Sequence, residues 1–97
     1  MSHSFETLSK ARQEILEAWE WYEDKQVGLG DEFAAEVEKK ITFILNNPLQ
    51  YPAKGKYREA QTDIFPFLII YKLNKPQDMI QIVSVFHTSR HPKKKYK

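Results

Sequence analysis

The chain ends in a cluster of side chains that can exchange protons or carry positive charge. An apolar run from Ile80 to Phe86 leads directly into His87, and the following residues include one arginine, four lysines and a tyrosine. An imidazole exchanges protons near neutral pH, and guanidinium and ammonium groups bind anions. This composition favours contact with nucleic acid, a nucleic-acid enzyme or an acidic peptide. The alternative is a solvated chain end without a binding role.

Other chemistries find little support in the sequence. There is no cysteine, and the three histidines are His3, His87 and His91. His87 and His91 are four residues apart, but the adjacent Pro92 and the preceding strand argue against the helix that would align them on a metal. The chain has no Gly-rich phosphate loop and no serine in a nucleophile elbow. We therefore expect no metal, no cofactor and no small-molecule substrate.

The composition predicts a single small domain over residues 1–97, with a basic tail at residues 91–97. With 41% hydrophobic and 13% aromatic residues, the chain has the material for a packed core. No apolar run approaches the ~20 residues of a membrane span, and the N-terminus lacks an apolar signal core. We expect a cytoplasmic protein without a membrane partner.

Charge is distributed unevenly along the chain. Residues 1–50 contain five Lys/Arg and ten Asp/Glu, whereas residues 51–97 contain ten Lys/Arg and three Asp/Glu. The acidic half coincides with the predicted helices, so neither helix offers the basic face of a DNA-reading helix. Sequence-specific DNA binding by this chain alone is therefore not expected.

Two amphipathic helices are predicted in the first half of the chain, after a short strand at residues 3–8. Ser9 suits the N-cap of the first helix. Gly28-Leu29-Gly30 interrupts the helical pattern, and Pro48 ends the second helix. The first apolar stripe comprises Ala11, Ile15, Ala18, Trp19 and Tyr22, and the second comprises Phe33, Val37, Ile41, Ile44 and Leu45. Trp21 lies off the first stripe, so it is either a core residue, which we favour, or an exposed anchor for a partner.

Three strands are predicted in the second half. Residues 57–63 are of mixed polarity and suit a position near a sheet edge, whereas residues 67–71 are continuously apolar and suit the centre. Residues 80–86 form the last strand, and short connections make the three an antiparallel meander. The predicted fold class is α+β, with a helical hairpin packed on a small antiparallel sheet in the order β-α-α-β-β-β.

Short motifs spread over nearly the whole chain carry a family resemblance. They are Trp21-Tyr22-Glu23, Gly28-Leu29-Gly30, Asn47-Pro48, Tyr51-Pro52, Arg58, Phe65-Pro66-Phe67, Tyr71 and Val85 to Pro92. In this order they resemble the RelE/ParE toxin superfamily, in particular its ParE-like branch. The resemblance covers residues 5 to 96 and implies the same fold.

The resemblance implies a toxin of a bacterial type II toxin–antitoxin, or plasmid stabilisation, module. Its partners would be a cognate antitoxin and a macromolecular target. ParE-like members poison DNA gyrase and have no established hydrolytic centre. RelE-like members are metal-free endoribonucleases that act on mRNA at the ribosome. An inactive toxin homologue or a stand-alone binding module is a further alternative.

The candidate site residues follow from these alternatives. For a nuclease they are His87, Arg58, Arg90 and Tyr96, which would supply proton transfer and cationic stabilisation of the reacting phosphate. For target binding they are the cations Arg58, Arg90, Lys93, Lys94 and Lys95. We expect antiparallel pairing to bring Arg58 towards the end of the last strand, where it would form a cationic rim with Arg90.

Each of these residues also has an ordinary structural interpretation. His87 can cap the strand end by bonding a backbone carbonyl, and Arg90 can bind a loop carbonyl. Arg58 can form an ion pair with an acidic helix residue such as Glu14 or Glu17. The sequence alone leaves these alternatives open.

Overall fold

A computed structural model of the chain describes residues 4–75 and 78–89, in which two helices and five strands occur. The strands are β1 (Ser4–Thr7), β2 (Ala53–Lys54), β3 (Tyr57–Gln61), β4 (Phe67–Asn74) and β5 (Met79–His87). The helices are α1 (Ser9–Lys25) and α2 (Leu29–Asn46). The predicted fold class is confirmed, with the two-residue β2 as an addition too short to produce a periodic signal.

The five strands form one sheet in the order β1-β5-β4-β3-β2. β3, β4 and β5 pair antiparallel, as predicted, the additional β2 pairs antiparallel with β3, and β4 occupies the centre. β1 instead pairs parallel with β5, from Ser4 opposite Met79 to Thr7 opposite Ile82. The sheet is therefore mixed. Parallel neighbours need a long connection, and the helical hairpin is part of the long connection from β1 to β5.

Both helices bury their apolar stripes on one face of the sheet. Phe33 and Ile44 of α2 and Ala11 of α1 are fully buried together with Ile69 and Tyr71 of β4. Since successive strand residues alternate between faces, Ile70 belongs to the opposite face, and it is also fully buried. β4 is thus buried on both faces, as its continuous apolar run predicts.

The junction between the helices depends on Glu23 and Gly30. The two carboxylate oxygens of Glu23 accept hydrogen bonds of 2.9 Å from the backbone N–H groups of Gly28 and Gly30. A Cβ atom on Gly30 would lie 2.6 Å from the backbone oxygen of Trp19. The close approach of the helices therefore requires glycine at this position, and a side chain of α1 caps the N-terminus of α2.

The start of α1 differs from the prediction. The helix begins at Ser9 itself, and its N-cap residue is Leu8, which has no side-chain cap. Leu8 remains extended because its backbone N–H donates to the carbonyl of Ile82 at 3.0 Å, which continues the β1–β5 ladder. The prediction that Ser9 is the N-cap is wrong, because strand pairing fixes the preceding residue.

Within residues 4–75 and 78–89, neither helix is long and apolar enough to cross a bilayer.

Candidate functional site

The end of β5 presents His87 beside a groove formed with α1. His87 stands opposite Phe67 in the sheet, and its ring meets the Phe67 ring edge-on with centroids 5.0 Å apart. The backbone N–H and the hydroxyl oxygen of Ser89 lie 3.1 and 2.6 Å from Nδ1 of His87. Because a backbone N–H can only donate, Nδ1 is the acceptor here, and the neutral ring carries its proton on Nε2.

The groove has a volume of about 330 Å³ and is bounded by α1 on one side and by the end of β5 on the other. Its helical wall consists of Glu14, Glu17, Ala18, Trp21 and Tyr22, and its sheet wall consists of Phe67, Val85, His87 and Ser89. The helical residues are spaced by three and four, with Ala18 and Tyr22 at the margin of the core stripe and Glu14, Glu17 and Trp21 beside it.

Trp21 is the largest exposed feature of this groove. Its side chain is 57% exposed, and its ring meets that of Tyr22 edge-on at 5.1 Å. The ammonium group of Lys25 lies 4.7 Å from the centroid of the indole ring. Our preferred interpretation of Trp21 as a core residue is wrong, because its position off the core stripe directs it into the groove. The alternative interpretation as an exposed residue is correct.

Glu14 links the two walls of the groove. One oxygen of its carboxylate accepts hydrogen bonds from the Ser84 hydroxyl at 2.8 Å and from the Val85 backbone N–H at 3.1 Å. β1 ends at Thr7, opposite Ile82, so β5 has no strand neighbour on this side beyond that point in the described part of the chain. Glu14 therefore satisfies edge groups that a further strand would otherwise bond.

Arg58 does not lie next to His87. It stands opposite Tyr71 in the sheet, whereas His87 stands opposite Phe67, four residues or about 13 Å further along β4. The guanidinium group donates a hydrogen bond to the backbone oxygen of Tyr51. The expected approach of Arg58 to the end of the last strand is not found, and neither, among the described residues, is the suggested ion pair with Glu14 or Glu17.

Tyr71 forms the buried neighbour of Arg58. Burial raises the pKa of the Tyr71 phenol to about 12, although the positive charge of Arg58 acts in the opposite direction. The hydroxyl donates to the backbone oxygen of Pro48 at 2.8 Å. Together these contacts attach the segment after α2 to the sheet, so Arg58 has a structural role in addition to any binding role.

The other predicted cations and the predicted tyrosine lie outside the described residues. They are Arg90, Lys93, Lys94, Lys95 and Tyr96, and the basic tail at residues 91–97 stays a prediction with them. The expected cationic rim lacks Arg58, which the strand register places away from the end of β5. Within the described part of the chain, the groove at the end of β5 is acidic and aromatic rather than basic. No group of three or more His, Cys, Asp or Glu side chains there could hold a metal ion.

Sequence reasoning missed the contact of Glu14 with β5 and gave the exposure of Trp21 only as the alternative interpretation. A signal for both exists in the sequence, because Glu14, Glu17, Ala18 and Trp21 follow helical spacing. The pattern is hard to recognise, because two of its four residues are charged and do not give an apolar stripe. The mismatch between the short β1 and the long β5, which creates the groove, becomes apparent only from the pairing of the strands.

Comparisons with known proteins agree with this fold. A family profile described as "ParE toxin of type II toxin-antitoxin system, parDE" matches residues 6–92. A solved structure of the chromosomal ParDE toxin–antitoxin system from P. aeruginosa superposes with a TM-score of 0.78 at 13% identity, covering 91% of this chain and 98% of that chain. The RelBE2 toxin–antitoxin complex from Mycobacterium tuberculosis superposes with a TM-score of 0.65 at 15% identity, covering 90% and 99%.

No curated protein matches the chain. The two structures share its fold, and the family profile covers most of its length. This chain therefore belongs to the ParE toxin family of type II toxin–antitoxin systems.

Proposed function

We propose that this protein arrests bacterial growth by binding a macromolecular target, DNA gyrase, and that a cognate antitoxin neutralises it. The observation that carries the proposal is the groove between α1 and β5, with Trp21 exposed at its wall. Tryptophan is enriched among the residues that dominate protein–protein binding. The groove is therefore a docking surface for a protein segment.

We assign the groove to the antitoxin. Its walls combine apolar area from Ala18, Phe67 and Val85 with the carboxylates of Glu14 and Glu17. Both similar structures are toxin–antitoxin systems, which supports an antitoxin partner for this chain. The antitoxin segment that fits here is apolar, and its charged residues are basic. Acidic antitoxin residues would instead bind the basic half of the chain, because the carboxylates of Glu14 and Glu17 would repel them in the groove.

We assign target binding to the cations of the second half, namely Arg58, Arg90, Lys93, Lys94 and Lys95. Their charge suits a surface of an enzyme that handles nucleic acid, and complementary charge mainly accelerates encounter and sets specificity. Action on gyrase takes place in the cytoplasm. Of these cations, only Arg58 belongs to the described residues, where it is half-buried against Tyr51.

The second candidate function is a RelE-like mRNA endoribonuclease that uses His87 with Arg90, Arg58 and Tyr96. The observation in its favour is that His87 lines an accessible groove and carries its exchangeable proton on Nε2. The distance between Arg58 and His87 weighs against it, because a phosphate at His87 would be out of reach of that guanidinium group. An inactive homologue is the third alternative.

The test is induction of the chain in bacteria without an antitoxin. We expect growth arrest with filamentous cells and DNA-damage signalling, and inhibition of supercoiling by purified gyrase. His87→Ala should retain both effects, whereas it would abolish mRNA cleavage by a nuclease. Rapid loss of translation with cleaved mRNA would replace the gyrase proposal with the nuclease one, and normal growth at high soluble expression would indicate an inactive homologue.

A further inference from the structure

A second charged surface lies at the end of the sheet opposite to the groove. Lys56, Lys72 and Lys75 surround a shallow depression of about 350 Å³, whose remaining walls are Leu73, Asn74 and Gln81. We refer to the three lysines as the lysine patch. Lys72 is five residues from Phe67 along β4, so the patch is about 17 Å from the groove. The two surfaces can therefore be occupied independently.

Backbone geometry fixes the position of the patch. Lys54 pairs with Tyr57, which leaves Gly55 and Lys56 as a two-residue hairpin turn. Gly55 has a φ of +65° and Lys56 does not have a positive φ, which is the arrangement of a type II′ turn. Lys72 belongs to the central strand, and Lys75 directly follows it. Lys72 is thus on a strand, whereas Lys56 and Lys75 are in connections directly at strand ends.

The three ammonium groups are available for a partner. None of them has an ion pair or a hydrogen bond with a side chain among residues 4–75 and 78–89, and only Lys56 makes a ring contact there, 5.5 Å from the centroid of Tyr57. By contrast, Lys40 and Lys54 are both engaged with carboxylates. Unneutralised lysines grouped at one depression create a local positive potential that attracts polyanions.

The acidic groups near the patch in the described chain are few. Glu6 of β1 accepts a hydrogen bond of 3.1 Å from the side-chain amide of Gln81, which occupies one of its oxygens. Asp78 lies in the turn after Lys75 and is exposed. These two carboxylates flank the patch, whose own described walls contain no acid.

The lining of the patch distinguishes between classes of partner. Protein partners are usually held by exposed aromatic or large apolar residues, and none of those exposed in the described chain lines this depression. Single-stranded nucleic acid needs exposed rings for base stacking, and the nearby Tyr57 is half-buried beneath Lys56. Lysines accompanied by amide groups are instead the set that contacts the phosphates of a duplex.

We propose that the lysine patch binds the phosphodiester backbone of double-stranded DNA without regard to base sequence. This inference stands on residues separate from the groove and does not rest on the proposed function, since a chain that fails to arrest growth can still bind a duplex. The patch presents no helix among the described elements, and its β2–β3 turn contributes a lysine rather than a base-reading side chain, so we assign it phosphate contacts only.

The test measures binding of a fluorescently labelled DNA duplex of mixed sequence as a function of salt. Each phosphate contact contributes about −0.9 to the slope of log K against log salt. Replacing Lys56, Lys72 and Lys75 by Gln should reduce the magnitude of that slope by about 2 to 3. The corresponding three Arg substitutions should preserve it, because the charge is kept.

The matched control replaces Lys10, Arg12 and Lys39 by Gln, which changes the net charge equally but on the helices. This control should retain the slope of the wild-type protein. The proposal is overturned if both triple variants reduce the slope equally, if the wild-type protein shows no salt-dependent binding, or if poly-glutamate displaces the duplex at equal charge concentration. Circular dichroism of each variant confirms that the fold is intact.

Discussion

Replacing Glu14 by Ala should destabilise the fold, although the side chain is only partly buried at the groove. The carboxylate is the hydrogen-bond acceptor for both the Ser84 hydroxyl and the Val85 backbone N–H. Ser84 is fully buried, so its hydroxyl loses its partner without gaining free access to solvent. Hydrogen bonds to a charged group contribute about 1.5–3 kcal/mol each to stability. Water that enters the groove in the variant recovers part of this loss by bonding the groups that Glu14 leaves.

We therefore expect Glu14→Ala to lower the free energy of unfolding by about 2 kcal/mol. For a domain of this size, such a loss corresponds to a decrease in Tm of about 8 to 16 °C. The measurement is urea unfolding followed by circular dichroism, together with a thermal scan. Glu17→Ala is the matched control, because Glu17 is exposed on the same helix and its carboxylate accepts a hydrogen bond from the exposed Gln13. It should change the free energy by less than about 0.5 kcal/mol.

A double-mutant cycle with Ser84→Ala isolates the contact itself. If the hydroxyl and the carboxylate interact as described, Glu14→Ala should cost about 1 kcal/mol less when Ser84 is already Ala. Additive losses would show that the two side chains act independently. Equal effects of Glu14→Ala and Glu17→Ala would refute the assignment of Glu14 as the cap of the β5 edge.

Three further predictions concern other parts of the molecule. Gly30→Ala should lower the free energy of unfolding by more than about 1 kcal/mol in chemical denaturation, because its Cβ would lie 2.6 Å from the Trp19 backbone oxygen. Tyr71→Phe should remove the bond to Pro48 at a cost of about 1 kcal/mol. The Tyr71 pKa is raised to about 12 in the fold, so above pH ~10 this phenol loses its proton more readily in the unfolded chain. The free energy of unfolding, measured against pH, should therefore fall more steeply above pH ~10 for the wild-type protein than for this variant. Trp21→Ala should weaken antitoxin binding by about 30-fold or more, as measured by calorimetry. This variant should unfold near the wild-type midpoint, whereas Trp19→Ala should lower the midpoint because Trp19 packs against the core.

The elements that sequence analysis predicts well are those with a strong apolar pattern. The stripes of α1 and α2 and the continuous run at residues 67–71 are local signals, and each reflects burial against the sheet or the helices. The order of the elements and the central position of β4 follow from them. The ends of the helices are less predictable, because α1 starts where strand pairing of Leu8 stops and Glu23 caps α2 from another element.

The site was less predictable than the fold for a physical reason. Arg58 and His87 are both near strand ends in the sequence, but whether they meet depends on the strand register. Their partners on β4 are four residues apart, so they do not meet. β4 and β5 also contain a register shift between Ile70 and Tyr71, which no residue pattern announces. Charged residues contribute no periodic apolar signal, so the helical spacing of Glu14 alone does not predict its contact with β5.

The unequal lengths of β1 and β5 explain why a groove exists at one end of this sheet. β1 has four residues and β5 has nine, so the second half of β5 would expose an unpaired edge on this side. The chain instead turns into α1 at this point, and Glu14 accepts the hydrogen bond of the Val85 N–H that a strand carbonyl would otherwise accept. A partner in the groove must therefore bind mainly through its side chains at this position, against Trp21 and the carboxylates, unless it first displaces Glu14.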